Sequence, residues 1–187
     1  MPVTYHFGAG QVSAEEALRK LAQLSFGDIT NGKVIEAARQ IVAPVAQDDD
    51  AELEAIFRAV KVGDRRCPAL AHGVRYTRDP PHLDFFTKPS KLLSQCLIGA
   101  NSEDCDGHAA LLAALCGAVG WVPGLRIVAV SPSDKTYTHV YAVVGYPKGN
   151  SPMQGCKALD TTVEESYVGW EPPSRSKIPP LTAVLET

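Results

Sequence analysis

The chain has 187 residues, 45% of them hydrophobic, which is enough for one substantial core but short for two independent domains. Its formal net charge of −3 at pH 7 excludes the strong basic field that attracts nucleic acid or an anionic membrane, and no stretch reaches the roughly 20 apolar residues of a bilayer span. Because residues 1–7 lack a basic region followed by an apolar run, we expect no signal peptide and a cytoplasmic location.

Two amphipathic helices are predicted near the start of the chain. Ser13 and Glu16 have the spacing of a capping box, and the leucines that follow at helical intervals predict a helix over residues 14–24. A second apolar stripe with a period near 3.6 begins at Lys33, and Pro44 should kink or end it.

A third helix should follow the acidic run Asp48–Asp50. Carboxylates stabilise a helix N-terminus by capping it and by opposing its dipole, so we favour capping over a cation site for this run. Apolar residues at helical spacing continue from Leu53 to Val60. We assign residues 1–50 to an N-terminal helical region and residues 51–170 to a core.

The middle of the chain changes from loop to helix. Residues 63–90 are rich in Gly, Pro, Arg and His and predict an extended surface segment, and residues 90–97 predict a short helix. Residues 109–118 are apolar around nearly the whole helical circumference, with Asp104 or Ser102 as the N-cap. A helix without a polar face is buried in a core.

The last third of the chain is β-rich. Residues 125–130 and 137–146 predict an antiparallel hairpin, and residues 157–160 predict a third strand. Residues 169–180 are rich in proline and should lack regular structure, so we assign residues 171–187 to a proline-rich C-terminal tail.

Three residues have the types and the order of a nucleophilic site. Cys105 stands at the start of the apolar helix, His139 lies on a predicted strand, and Asp160 follows the next strand. A thiol nucleophile needs a nearby base, and the base needs a third group that holds it. The helix dipole and His139 should lower the pKa of the thiol, whereas Asp104 and Asp106 should raise it.

Spacing alone favours an inert role, because buried cysteines and half-buried strand histidines are common structural residues. The chain has five cysteines, an odd number without a secretion signal, which favours reduced thiols. Two further readings of the same helix stay open. His108 lies three residues after Cys105 and is an alternative base, and a zinc site is disfavoured because no paired ligand spacing is present.

The chain resembles a known family in three blocks. Residues 104–120, 138–141 and 158–161 resemble the core signature of the transglutaminase-like superfamily, relatives of the papain-like cysteine proteases. Residues 54–58 and 74–80 resemble the lead-in of small bacterial and phage members.

The resemblance implies an α+β fold with a papain/transglutaminase-like core, in which a buried nucleophile-bearing helix packs on an antiparallel sheet behind N-terminal helices. It implies that Cys105 is the nucleophile, His139 the general base and acid, and Asp160 the orienting carboxylate, with no cofactor and no metal. Two departures bear on substrate recognition: the connection through residues 65–72 is longer than usual, and Gly107-His108 replaces a more common acidic or basic pair.

The implied chemistry is acyl transfer on a peptide amide bond through an acyl-thioester. The Cys105 amide and one further donor would form the oxyanion hole, and Gln95 is a candidate for that donor, although a surface glutamine is favoured. We expect a cysteine peptidase or amidase with a peptide or protein substrate, because water is always available as acceptor. The rival expectation is a virion structural or protein-binding component with a retained but unused Cys-His-Asp site, located in a virion and contacting its other subunits.

Overall fold

A computed structural model describes residues 5–8, 14–78, 83–173 and 176–185. The described chain has a mixed α+β fold with five α-helices and a four-stranded antiparallel sheet, which confirms the predicted class. Ser13 of the predicted capping box lies outside the described residues. None of the described helices has the length and apolar composition that crossing a membrane requires.

The helices are α1 (Ala14–Gly27), α2 (Gly32–Val42), α3 (Asp49–Lys61), α4 (Pro89–Cys96) and α5 (Cys105–Ala118). Each was predicted within a few residues. The Asp48 side chain accepts a hydrogen bond from the Ala51 amide at 3.0 Å, so the acidic run begins with a helix cap as expected. After α2, Pro44 lies within a short 3-10 turn, and the α-helix ends where this turn begins.

The strands are β1 (Tyr5–Gly8), β2 (Arg75–Tyr76), β3 (Leu83–Phe86), β4 (Ser102–Glu103), β5 (Pro123–Val128), β6 (His139–Gly145), β7 (Cys156–Leu159) and β8 (Leu181–Val184). The main sheet has the order β7-β6-β5-β8 with antiparallel neighbours, which confirms the hairpin and the third strand. Sequence reasoning did not anticipate β8, which pairs with β5 after the proline-rich segment. The remaining strands form two small sheets, β1-β3 and β2-β4.

Helix α5 lies in the centre of the core. Its residues from Ala109 to Cys116 are at most 1% exposed, as an apolar circumference predicts. The other four helices and strands β5 and β6 contact it, and one hydrophobic cluster joins α1, α2, α5 and the inner face of the sheet. The division of the chain at residue 50 stays a prediction.

Candidate active site

Cys105 is the first residue of α5, and the preceding residue caps the helix. The Asp104 carboxylate accepts hydrogen bonds from the amides of Asp106 at 3.1 Å and Gly107 at 3.4 Å. Among the described residues, no acceptor takes the Cys105 amide. The first turn therefore has one uncommitted amide, and it belongs to the residue that carries the thiol.

Strand pairing brings Asp160 to His139. Ala142 on β6 pairs with Leu159 on β7, so Asp160, the next residue along the chain, follows opposite Tyr141. Residues 139 and 141 lie on the same face of the strand, which makes Asp160 a diagonal neighbour of His139. His139 Nε2 lies 2.7 Å from Asp160 Oδ2.

Asp160 is 1% exposed and fully hydrogen-bonded. Its Oδ1 accepts hydrogen bonds from the amide and the hydroxyl of Thr162, at 3.0 Å and 2.7 Å. Burial alone would raise the pKa of Asp160, but its contacts with His139 and Thr162 lower it below the ordinary value. As a carboxylate, Asp160 accepts the Nε2 hydrogen of His139, which leaves Nδ1 of a neutral ring with its lone pair for a proton.

Cys105 and His139 line the same cavity, which has a volume of about 290 Å³. The backbone amide of Val140, the residue after His139, lies close enough to the Cys105 thiol to favour its thiolate form. Within the described chain, no hydrogen bond joins Cys105 Sγ to the His139 ring. The fold thus gathers all three predicted site residues where β6 begins and β7 ends. The hydrogen bond between His139 and Asp160 is formed, and the one between Cys105 and His139 is not.

In this structure, the effects that disfavour ionisation of the Cys105 thiol outweigh those that favour it. Burial raises the pKa of the thiol far above its ordinary value, and the charges of Asp104 and Asp106 raise it further. The Val140 amide opposes these effects but does not overcome them. The resting group is therefore a neutral thiol, and a base must take its proton before or during attack.

His108 is turned toward the loop that follows β7. Its Nδ1 lies 2.8 Å from the Thr161 hydroxyl, and its ring is edge-on to Tyr76 with 6.3 Å between centroids. The side chain is 1% exposed, and burial lowers the pKa of His108 to about 4, so the ring is neutral at neutral pH. It makes no hydrogen bond to Cys105, and no three described side chains form a metal-binding group.

Gln95 lies in the last turn of α4 and does not line the cavity that contains Cys105. The residue that sequence reasoning missed is Tyr76 on β2. Burial raises the pKa of the Tyr76 phenol, and the nearby Cys105 raises it further, so the two groups are electrostatic neighbours. The available signal was its position inside the segment 74–80, which carries part of the family resemblance.

A second cavity, of about 490 Å³, also has His139 in its wall. It shares Thr138 and His139 with the first cavity, and its walls include Tyr76, Arg78 and Trp170. A larger groove of about 800 Å³ runs between α1 and β8, but none of the three predicted site residues lines it. The two smaller cavities are therefore the ones that adjoin the candidate chemistry.

Comparison with protein-family models, with curated proteins and with solved structures finds no match. The interpretation of the site therefore depends on its own geometry and on the chemistry of its side chains. That geometry consists of a thiol at a helix start, an uncommitted amide beside it, and an imidazole hydrogen-bonded to a buried carboxylate.

Proposed function

We propose that this chain catalyses cysteine-dependent acyl transfer on peptide amide bonds, as a peptidase or amidase of the transglutaminase-like type. The 2.7 Å hydrogen bond between His139 Nε2 and buried Asp160, at the edge of the cavity that contains Cys105, is the observation that carries this proposal. A buried helix with the nucleophile at its start, packed on an antiparallel sheet, supports a papain/transglutaminase-like core. The substrate is a peptide or protein.

The first chemical step begins from a neutral thiol. His139 Nδ1 takes the proton of Cys105 as the sulfur attacks the amide carbonyl, and Asp160 stabilises the imidazolium that forms. The Cys105 amide donates a hydrogen bond to the oxygen that becomes negative. The C–N bond then breaks, the imidazolium protonates the leaving amine, and an acyl-thioester remains on Cys105.

Water completes the reaction. His139, neutral again, takes a proton from the water that attacks the thioester carbonyl. The C–S bond breaks, the carboxylic acid leaves, and the proton returns to the sulfur. The missing hydrogen bond between thiol and imidazole agrees with this scheme, because catalytic contacts are often long before substrate binds.

A non-catalytic role is the second candidate, in which the chain is a virion structural or protein-binding component with an unused site. The raised pKa of the Cys105 thiol and the open contact to His139 favour it. Both candidate functions retain Cys105, His139 and Asp160, so the measured reactivity of Cys105 distinguishes them.

The deciding experiment measures alkylation of each cysteine by iodoacetamide at neutral pH with mass spectrometry, in the native protein and after denaturation. We expect Cys105 to react at least about tenfold faster in wild type than in His139→Ala, because the imidazole generates the thiolate. A peptide-library screen of wild type against Cys105→Ala then tests hydrolysis. Equal Cys105 labelling in both proteins, together with no hydrolysis, would favour the structural role.

A further inference from the structure

The cavity beside Cys105 has both polar and apolar walls, and three separate elements supply side chains of the apolar part. Helix α1 contributes Ala17 and Leu21, β3 contributes Phe86, and β5 contributes Ile127. The last three side chains are each at most 8% exposed, so they are held by the core. A volume of about 290 Å³ lies at the small end of ligand pockets, which begin at roughly 300 Å³. It suits one side chain or a short acyl group.

The charges at the cavity are negative. Asp104 and Asp106 line it beside the thiol, and neither Lys nor Arg is among the described residues of its wall. The Asp104 carboxylate is held in place by its role as helix cap, and the Gly107 amide donates a hydrogen bond to Asp106 at 2.9 Å. An acidic side chain entering this cavity would lose its hydration and meet two like charges.

The positions of the two cavities indicate which part of a substrate each one would hold. Of these two cavities, Cys105 lines only the one of about 290 Å³, whereas His139 lines both. The group that bonds to sulfur must stay on the side of Cys105, and the leaving amine must lie where His139 can protonate it. The acyl part of the substrate would then occupy the cavity of about 290 Å³ beside Cys105, and the leaving part would extend past His139 toward Tyr76 and Arg78.

We propose that the cavity walled by Ala17, Leu21, Phe86 and Ile127 is the acyl-residue subsite of the enzyme, and that it selects an uncharged apolar side chain such as leucine. This inference rests on the proposed function and adds its substrate class. Helix α1 then determines specificity, because a helix from outside the sheet supplies one wall beside the nucleophile.

The test uses N-acetylated chloromethyl ketones of leucine, glycine and glutamate, in which Cys105 Sγ displaces chloride and the side chain enters the acyl subsite. The rate of Cys105 labelling by each reagent is divided by the iodoacetamide rate of the same protein. We expect the leucine reagent to exceed glycine by at least about tenfold and glutamate by at least about 100-fold.

Ala17→Trp should fill the cavity and reduce the normalised leucine rate to about the glycine rate. Gln23→Trp is the matched control, because Gln23 is exposed on the same helix and lies outside this cavity. It should keep the wild-type preference. If Ala17→Trp fails to fold, Ala17→Leu reduces the same space with a smaller residue and should shift the preference in the same direction.

Two outcomes would overturn the inference: equal normalised rates for leucine and glutamate in wild type, or a leucine preference that both Ala17 variants retain. In either case, rapid His139-dependent alkylation of Cys105 by iodoacetamide would still support the proposed function. Loss of that alkylation would instead remove the proposed function itself, so the two failures give different results.

Discussion

Two histidine rings contact consecutive residues of one loop. His139 Nε2 bonds to Asp160 at 2.7 Å, and His108 Nδ1 bonds to the Thr161 hydroxyl at 2.8 Å. His139 begins a strand and adjoins two cavities, whereas His108 lies inside α5 with 1% exposure. The comparison teaches that closeness to Cys105 in sequence does not decide which histidine adjoins the cavity that contains the thiol.

The partners of the rings differ as well. A buried carboxylate favours an imidazolium on His139 in the proposed reaction. The hydrogen-bond partner of His108 is a neutral hydroxyl, and burial lowers the pKa of His108 more than the Arg75 backbone and the charges of Asp160 and Asp104 raise it. The loop that follows β7 nevertheless contacts both rings, so the hydrogen bond between His108 and Thr161 links α5 to the segment that carries Asp160. His108 is therefore a structural link beside the proposed catalytic pair.

The largest expected effect separates the two rings directly. His139→Ala should lower peptide hydrolysis by about 10³-fold, because it removes the base and the acid. His108→Asn should lower it by less than about tenfold, since an asparagine amide can still reach Thr161. Turnover of both variants under substrate saturation checks the comparison, with Cys105→Ala as the inactive reference. A loss in His108→Asn as large as in His139→Ala would mean that His108 is the base.

The pH dependence of stability should sharpen the contrast. Burial lowers the pKa of His108 to about 4 from an ordinary value of 6.5, so the unfolded chain binds this proton first as pH falls. The free energy of unfolding should decrease between those two values, by about 3 kcal/mol from this group, and change no further below about pH 4. Urea unfolding across this window measures it.

His108→Asn should remove this part of the pH dependence, while His72→Asn, which replaces an exposed histidine, is the control for loss of an imidazole. If the free energy of unfolding changes with pH equally in wild type and in His108→Asn, the buried ring does not resist protonation.

Asp160→Asn tests the carboxylate that holds His139, the proposed catalytic ring. The amide can donate to Nε2 and thereby place the ring hydrogen on Nδ1, which blocks proton uptake from the thiol, so we expect hydrolysis to fall about 100-fold. Glu165→Gln is the matched control, because it also removes one carboxylate but at an exposed position. Unchanged hydrolysis in Asp160→Asn would exclude an orienting role for this residue.

The smallest expected effect concerns Thr161, the hydrogen-bond partner of the buried His108 ring. Thr161→Val removes the hydroxyl that His108 contacts and should lower the free energy of unfolding by about 1 kcal/mol. Thr161→Ser keeps the hydroxyl and serves as the control for loss of the methyl group. If the two variants are equally stable in thermal unfolding, the His108–Thr161 hydrogen bond contributes little.

The helices and the hairpin were predictable because their signals are local. The apolar period before Pro44, the acidic cap at Asp48 and the wholly apolar circumference of α5 each depend on neighbours in the sequence. The strand β8 was not predictable in this way, because four residues after a proline-rich segment gain their structure from pairing with β5.

By itself, the sequence determined which residues carry reactive groups, which helix is buried and which strands pair as a hairpin, because residue type and hydrophobic period are properties of neighbouring positions. Only the tertiary structure decided that His108 faces Thr161 and that the Cys105 thiol rests neutral. Those outcomes depend on desolvation and on charges brought together from separate segments. Such groups meet only when the sheet register and helix packing are complete.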